Sequence, residues 1–213
     1  MDVTLADPFW APRQEQLRTH TLAVILDRLE RQGVVDNFRR LAGRSDAPRE
    51  AMHFSDSDLY KWVEAAVRAG RLDLAEESIE LIAAVQRPDG YVHTYYDTDA
   101  GFPRWTDLDL GHEQYCAGHL IEAAIAHHEV TGDDRLLTVA LRCADDLLVT
   151  FGPGRDGRTD GHPEIELALA RLAATTGDRR YLDHARWTIE ARLAHAGTTV
   201  DRFRLGGHAF RSL

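Results

Sequence analysis

Cysteine and lysine are scarce in this sequence, and the few that occur lack the spacing of known sites. The 213 residues include two cysteines, Cys116 and Cys143, in apolar helical contexts without a CxxC spacing. Two thiols make neither a disulfide scaffold nor a cysteine-rich zinc site, so we expect both to be small buried core residues. Lys61 is the only lysine. We ascribe this arginine bias to coding rather than to function.

Long apolar runs are absent as well. No stretch approaches the roughly 18 apolar residues of a membrane span, and the first twenty residues hold no apolar signal-peptide core. Asp and Glu number 35 against 25 Lys and Arg, which gives a formal net charge of −10. This balance argues against binding to nucleic-acid phosphates or anionic membranes. We therefore expect a cytoplasmic protein that binds neither nucleic acid nor membrane.

Alternating valine or isoleucine runs are nearly absent, whereas helix-length apolar patterns fill most of the chain. Residues 12–32 predict one amphipathic helix that ends at Gly33. An internal repeat follows, because Thr131-Gly132-Asp133 recurs as Thr176-Gly177-Asp178. An apolar, alanine-rich helix precedes each copy, and a second helix, capped by the aspartate, follows it.

The repeat predicts helical hairpins near residues 55–86, 112–148 and 162–196, with a further inner helix starting near 207. The first helix of each hairpin is apolar nearly all round and the second is amphipathic, which is typical of the inner and outer helices of an α/α toroid. The predicted fold is all-α, with residues 1–213 forming about half of an (α/α)6 barrel. Uncovered inner helices would favour self-association, or a second chain that completes the barrel.

Polar residues cluster just before the predicted inner helices, which begin around one mouth of a toroid. Gly-His pairs open three of the four starts, at His112, His162 and His208. The positive end of a helix favours neutral imidazole, which suits hydrogen bonding to sugar hydroxyls. Asp56 and Glu166, at the same starts, are more simply explained as acids placed for helix stability.

Residues 87–111 form a long irregular segment that opens with the turn signal Pro88-Asp89-Gly90. Long loops of this kind are often binding elements. Five aromatic side chains on it could stack on sugar rings or simply pack: Tyr91, Tyr95, Tyr96, Phe102 and Trp105. Glu113 and Glu164 could form a carboxylate pair for glycoside hydrolysis, but two acids at neighbouring helix starts are a weak signal.

Six segments, in order, resemble the β-L-arabinofuranosidases of glycoside hydrolase family 127: FSDSDLYKWVEAA, QRPDGYVHTYY, RWTDL, GHEQYCAGHLIEAAIAHHEVTGDDRLL, GHPEIELAL and GGHAFR. The resemblance runs from about Phe9 to the last residue. It implies an (α/α)6 barrel followed by β-sandwich domains, and retaining hydrolysis of terminal β-L-arabinofuranosyl groups of plant glycans. It also implies a cysteine thiolate nucleophile on zinc, held by three cysteines and a glutamate, with another glutamate as acid/base.

None of those catalytic residues or zinc ligands matches a residue of this chain, and Cys116 is not one of them. What the resemblance carries over is sugar binding, at five residues: His112, His162, His208, Tyr115 and Asp58. The chain thus resembles the substrate-binding N-terminal part of a glycosidase, with zinc implied only for a full-length relative. Since residual binding cannot replace a nucleophile and an acid/base, we expect no activity from the chain alone.

Two other functions stay open at this point. A stand-alone helical-repeat module could bind sugar or protein without catalysis, and another six-hairpin carbohydrate enzyme could share only the fold. The block around His112 favours the family 127 hypothesis over the second of these. The position of the chain end, at the opening of an unfinished hairpin, favours it over the first.

Overall fold

A computed structural model describes residues 7–99 and 101–199, with side chains through residue 194. Every regular element in these ranges is helical, which confirms the predicted all-α class. The helices are α1 (Trp10–Gln16), α2 (Leu22–Arg31), α3 (Val34–Leu41), α4 (Asp56–Arg68), α5 (Leu72–Val85), α6 (Leu108–Gly111), α7 (Glu113–Thr131), α8 (Arg135–Thr150), α9 (Ile165–Thr176) and α10 (Arg179–Thr199). The predicted helix from about residue 207, with His208, lies outside the described residues. No described helix has the length and apolar character that crossing a bilayer requires.

The first long helix is continuous, because a π-helical segment, Leu17–Thr21, joins α1 to α2. It ends before Gly33, whose φ of 74° lies in the left-handed region that favours glycine. A short helix not distinguished in the sequence, α3, follows at once. Since α2 packs on α4 and α3 packs on α5, this pair adds a hairpin ahead of the three predicted ones.

The remaining helices form two layers. The inner helices α4, α7 and α9 pack side by side, and the outer helices α5, α8 and α10 pack behind them. The central helix, α7, is buried on nearly all sides, as its apolar sequence predicts: Leu120, Ile121 and Ile125 are fully buried. Burial of such side chains, at about 25 cal/mol per Å² of apolar surface, is the main force holding the layers together.

The outer helices are amphipathic. In α8 the predicted stripe of Leu136, Ala140 and Leu147 is buried, whereas Arg142 on the opposite side is exposed. The predicted aspartate caps are confirmed in both later hairpins. Asp133 accepts a hydrogen bond from the Arg135 amide at 2.8 Å, and Asp178 accepts one from the Arg180 amide at 2.9 Å. Each satisfies an amide that a helix start leaves without an internal partner.

Among the described residues, no helix covers an apolar edge of the last hairpin. Leu167 of α9 and Ile189 and Leu193 of α10 are all exposed, and a groove of about 380 Å³ runs between them. Self-association through such an edge stays a prediction of the sequence.

Gly118 lies where α7 meets α9. A Cβ at this position would stand 2.7 Å from Glu164 Cγ and 3.2 Å from the Ile165 nitrogen. An exposed helical Gly→Ala change normally stabilises by about 1 kcal/mol. Here we expect overpacking to make the same change destabilising. Gly118→Ala should lower the free energy of unfolding, measured in urea, by about 1–2 kcal/mol. Gly157→Ala, in open space, is the control, and a stabilised Gly118→Ala variant would contradict this packing.

Candidate functional site

The starts of α7 and α9 bring the two described Gly-His histidines together. His112 and His162 have ring centroids 5.7 Å apart in an edge-to-face arrangement. His112 is the residue before α7 and has a left-handed φ of 56°. His162 is exposed, and His112 is half-buried. The predicted convergence of the inner-helix starts is therefore seen at these two positions.

Tyr115, in the first turn of α7, is the centre of the group. Its ring centroid lies 4.5 Å from that of His162 and 6.0 Å from that of His112. One turn further on, His119 packs edge-on against it at 4.5 Å. We call His112, Tyr115, His119 and His162 the histidine–tyrosine cluster.

Asp58 reaches the cluster through Lys61, one turn further along α4. The Lys61 ammonium lies 3.1 Å from the Asp58 carboxylate and donates to the Tyr115 hydroxyl at 3.4 Å. Burial alone would lower the pKa of Lys61, but the hydrogen bond and charge of Asp58 raise it above its ordinary value. The cluster therefore has a fixed positive charge at its rim, close to the exposed Asp58 carboxylate.

His119 is the most enclosed imidazole of the cluster. Burial lowers its pKa to about 4, helped by the nearby charge of Lys61 and by His162, so the ring is neutral at physiological pH. Its Nδ1 faces Glu164 at 3.5 Å, and burial raises the pKa of that carboxyl. Its buried Nε2 has no hydrogen-bond partner within the described part of the chain.

Asp160 ties the two helix starts to each other. Its buried carboxylate accepts hydrogen bonds from the Gln114 amide at 2.9 Å and the Tyr115 amide at 3.1 Å. In return the Asp160 amide donates to the Gln114 side chain at 3.3 Å. This is a reciprocal cap between segments 46 residues apart, in place of the usual cap from the residue that precedes a helix. Arg192 of α10 donates to the Asp160 carbonyl.

Glu113 belongs to a different environment from Glu164. It is buried, and its carboxylate accepts hydrogen bonds from the Tyr91 hydroxyl and, at 2.7 Å, from the Trp105 amide. Burial raises its pKa to about 7, against the lowering effect of these two donors. Glu113 thus ties the irregular segment to α7, while Glu164 faces His119.

The irregular segment is mostly packed rather than open. Gly90 donates to the Arg87 carbonyl, which confirms the predicted turn. Tyr91 and Tyr96 are buried, Tyr95 and Trp105 are half-buried, and only Phe102 of the aromatic set is exposed. Asp56 is also buried and binds the Thr94 amide and hydroxyl at 2.7 and 2.5 Å, consistent with a structural role.

Both cysteines are buried and free, as predicted. Burial raises the pKa of the Cys116 thiol well above its ordinary value, and that of Cys143 to about 12. Such thiols stay protonated at neutral pH and are poor nucleophiles. Across the described residues no group of three or more His, Cys, Asp or Glu side chains has the geometry to hold a metal ion. The described residues therefore do not fit the zinc site that the family resemblance implies.

Sequence reasoning missed three members of this site. His119 follows Tyr115 at the i+4 spacing that places two side chains on one helix face. Lys61 has no predicted role, although it follows Asp58 at the i+3 spacing that allows an ion pair. Asp160 has the weakest local signal, because its partners Gln114 and Tyr115 lie in another hairpin.

A separate groove of about 620 Å³, between α8 and α10 beside Trp187, contains none of the predicted site residues.

The sequence matches one enzyme family over most of its length. The family profile described as Beta-L-arabinofuranosidase, GH127 catalytic domain, matches residues 2–203. The chain belongs to glycoside hydrolase family 127. It is 37% identical to a non-reducing end β-L-arabinofuranosidase from Bifidobacterium longum subsp. longum, in a match covering 90% of this chain and 34% of the relative.

Solved family 127 structures share the fold. A β-L-arabinofuranosidase from Geobacillus stearothermophilus T6 matches with a TM-score of 0.83 at 34% identity, covering 92% of this chain and 35% of that one. A second GH127 β-arabinofuranosidase matches with a TM-score of 0.79 at 32% identity, covering 89% and 33%. These matches confirm the toroid-type fold. The chain spans about a third of the length of the relatives.

Glu113 should make the stability of this family 127 chain depend on pH. Its folded-state pKa of about 7 lies above the ordinary 4.5, so its stabilising contribution is full below pH 4.5 and is lost as the pH rises through 7. The loss is at most about 3 kcal/mol. We expect the free energy of unfolding of Glu113→Gln, measured in urea, not to show this fall with pH. The variant should therefore become more stable relative to the wild type as the pH rises from 4.5 to 8. Glu129→Gln, at an exposed position, is the control. Parallel wild-type and Glu113→Gln profiles would contradict the raised pKa.

Proposed function

We propose that this chain is the substrate-binding first part of a family 127 glycoside hydrolase that removes terminal β-L-arabinofuranosyl groups. The observation that carries the proposal is the meeting of His112, Tyr115 and His162 at the starts of two inner helices, in a chain of this family. The substrate would be a neutral sugar, bound through its hydroxyl groups.

The chemistry of the cluster suits hydroxyl recognition. Neutral imidazoles offer one donor and one acceptor each, and the Tyr115 hydroxyl can donate outward while Lys61 donates to its oxygen. Sugar hydroxyls both donate and accept, so a small set of such groups can fix their orientation. Asp58 would act at the rim, through Lys61. His208 is included on the resemblance alone.

Catalysis by the 213 residues alone is not expected. The family resemblance implies a zinc-bound cysteine nucleophile and a glutamate acid/base, and neither has a counterpart among these residues. Glu113 is engaged by the irregular segment and Cys116 is a buried thiol, so neither serves as a replacement. Binding without these groups stabilises substrate and transition state alike, which does not accelerate hydrolysis.

The binding role predicts a specific loss of affinity. Calorimetric titration of methyl β-L-arabinofuranoside into the wild-type chain should show binding. His112→Gln should weaken this binding at least tenfold, which corresponds to about 1.4 kcal/mol of binding free energy. His128→Gln is the matched control, since His128 lies at the other end of α7 and pairs with Asp134. Equal affinities for the two variants would refute the assignment of His112.

The absence of catalysis is tested with an aryl β-L-arabinofuranoside. The purified chain should release no aryl alcohol above the rate in buffer, because it lacks the nucleophile and acid/base. Turnover by the chain that His112→Ala abolishes would show that the reactive groups lie within these residues after all.

A further inference from the structure

The surroundings of His112 determine which of its ring nitrogens carries the proton. Its Nδ1 lies 3.4 Å from Asp160 Oδ1. The Asp160 side chain is fully buried and accepts from three backbone amides, those of Gln114, Tyr115 and His162. A carboxylate can only accept, so a neutral His112 ring must hold its proton on Nδ1. Its Nε2 is then an acceptor.

His162 is fixed in the same form by a different group. Its Nδ1 lies 3.1 Å from the carbonyl oxygen of Pro163, which also can only accept. Neutral His162 therefore carries its proton on Nδ1 as well. His112 and His162 thus each leave an unprotonated Nε2 for a ligand.

We propose that Asp160 is a positioning residue that holds His112 in the Nδ1–H tautomer, so that His112 and His162 form a matched pair of acceptors. The proposal rests on the proposed function and narrows it. Two acceptor nitrogens on rings 5.7 Å apart can accept hydrogen bonds from two hydroxyls of a neutral sugar. A carboxylate or phosphate offers them only lone pairs, so the pair selects against anionic ligands.

The backbone supports this role. His112 has the left-handed φ of 56°, which a non-glycine residue keeps only when its surroundings hold it. The two amides that follow Glu113, those of Gln114 and Tyr115, both donate to Asp160. The same carboxylate therefore fixes the start of α7 and the proton of the ring that precedes it.

Long-range proton–nitrogen NMR of the ¹⁵N-labelled chain tests the tautomers directly. At about pH 8, His112 and His162 should each show a protonated Nδ1 and an unprotonated Nε2. Their signals are assigned by their loss in His112→Gln and His162→Gln. An Nε2–H pattern at His112 in the wild-type chain would overturn the proposal.

Asp160→Asn tests the role of the carboxylate. The amide oxygen can still accept from the Gln114 and Tyr115 amides. Its NH₂ group then takes the place of Oδ1, facing His112 Nδ1 and the His162 amide, which loses its acceptor. We expect His112 to switch to the Nε2–H tautomer, His162 to keep its Pro163-bound form, and affinity for methyl β-L-arabinofuranoside to fall about tenfold. Asp183→Asn, which removes an exposed ion pair with Arg179 on α10, should change none of these.

The outcomes separate the two proposals. An unchanged His112 tautomer in folded Asp160→Asn would overturn the positioning role, whether or not sugar binds. The expected tautomers without any arabinofuranoside binding would leave Asp160 as the positioning residue and refute the proposed function. If Asp160→Asn does not fold, the tautomer of His112 in the wild-type chain still tests the positioning role: Nδ1–H supports it and Nε2–H overturns it.

Discussion

The buried carboxylate of Asp160 is the contact on which the geometry of the site depends. It lies just before the third predicted hairpin and accepts hydrogen bonds from the first turn of α7 in the second. Because the positive end of a helix attracts a negative group, the same contact satisfies free amides and stabilises the helix dipole. The distance between His112 and His162 follows from this cap.

Around that contact the structure separates two acidic environments. Glu113 faces inward, to Tyr91 and Trp105, and holds the irregular segment on the barrel. Glu164 lies toward the cluster, beside His119. Two glutamates that each lie close to a Gly-His pair in the sequence therefore differ in what surrounds them. Burial raises the pKa of both, but only Glu164 faces the cluster that we propose binds sugar.

Much of the fold could be predicted because its signals are local. Helical periodicity and the two Thr-Gly-Asp turns specify hairpins without knowledge of what packs on them. The short helix α3 was missed, since Gly33 ends one helix and its left-handed backbone leads directly into the next. The meeting of His112 and His162 was predictable from the toroid alone, because its inner helices share one mouth.

The rest of the site depends on contacts between distant parts of the chain. Asp160 and Gln114 pair across 46 residues, and no periodicity links them. Lys61 acquires its place only when α4 packs against α7, which brings its ammonium to the Tyr115 hydroxyl. The sequence does not indicate which aromatic side chains of the irregular segment are buried. Their burial depends on how the segment packs against α7 and α8 and not on a repeating pattern.

The central claim is that the starts of α7 and α9 form one hydroxyl-binding surface. Backbone amide shifts during titration with methyl β-L-arabinofuranoside test it most directly. The account predicts that the largest changes fall at residues 112–119 and 160–166, with little change at the Thr131 end of α7. Changes confined to the outer helices, or centred on the groove beside Trp187, would contradict it.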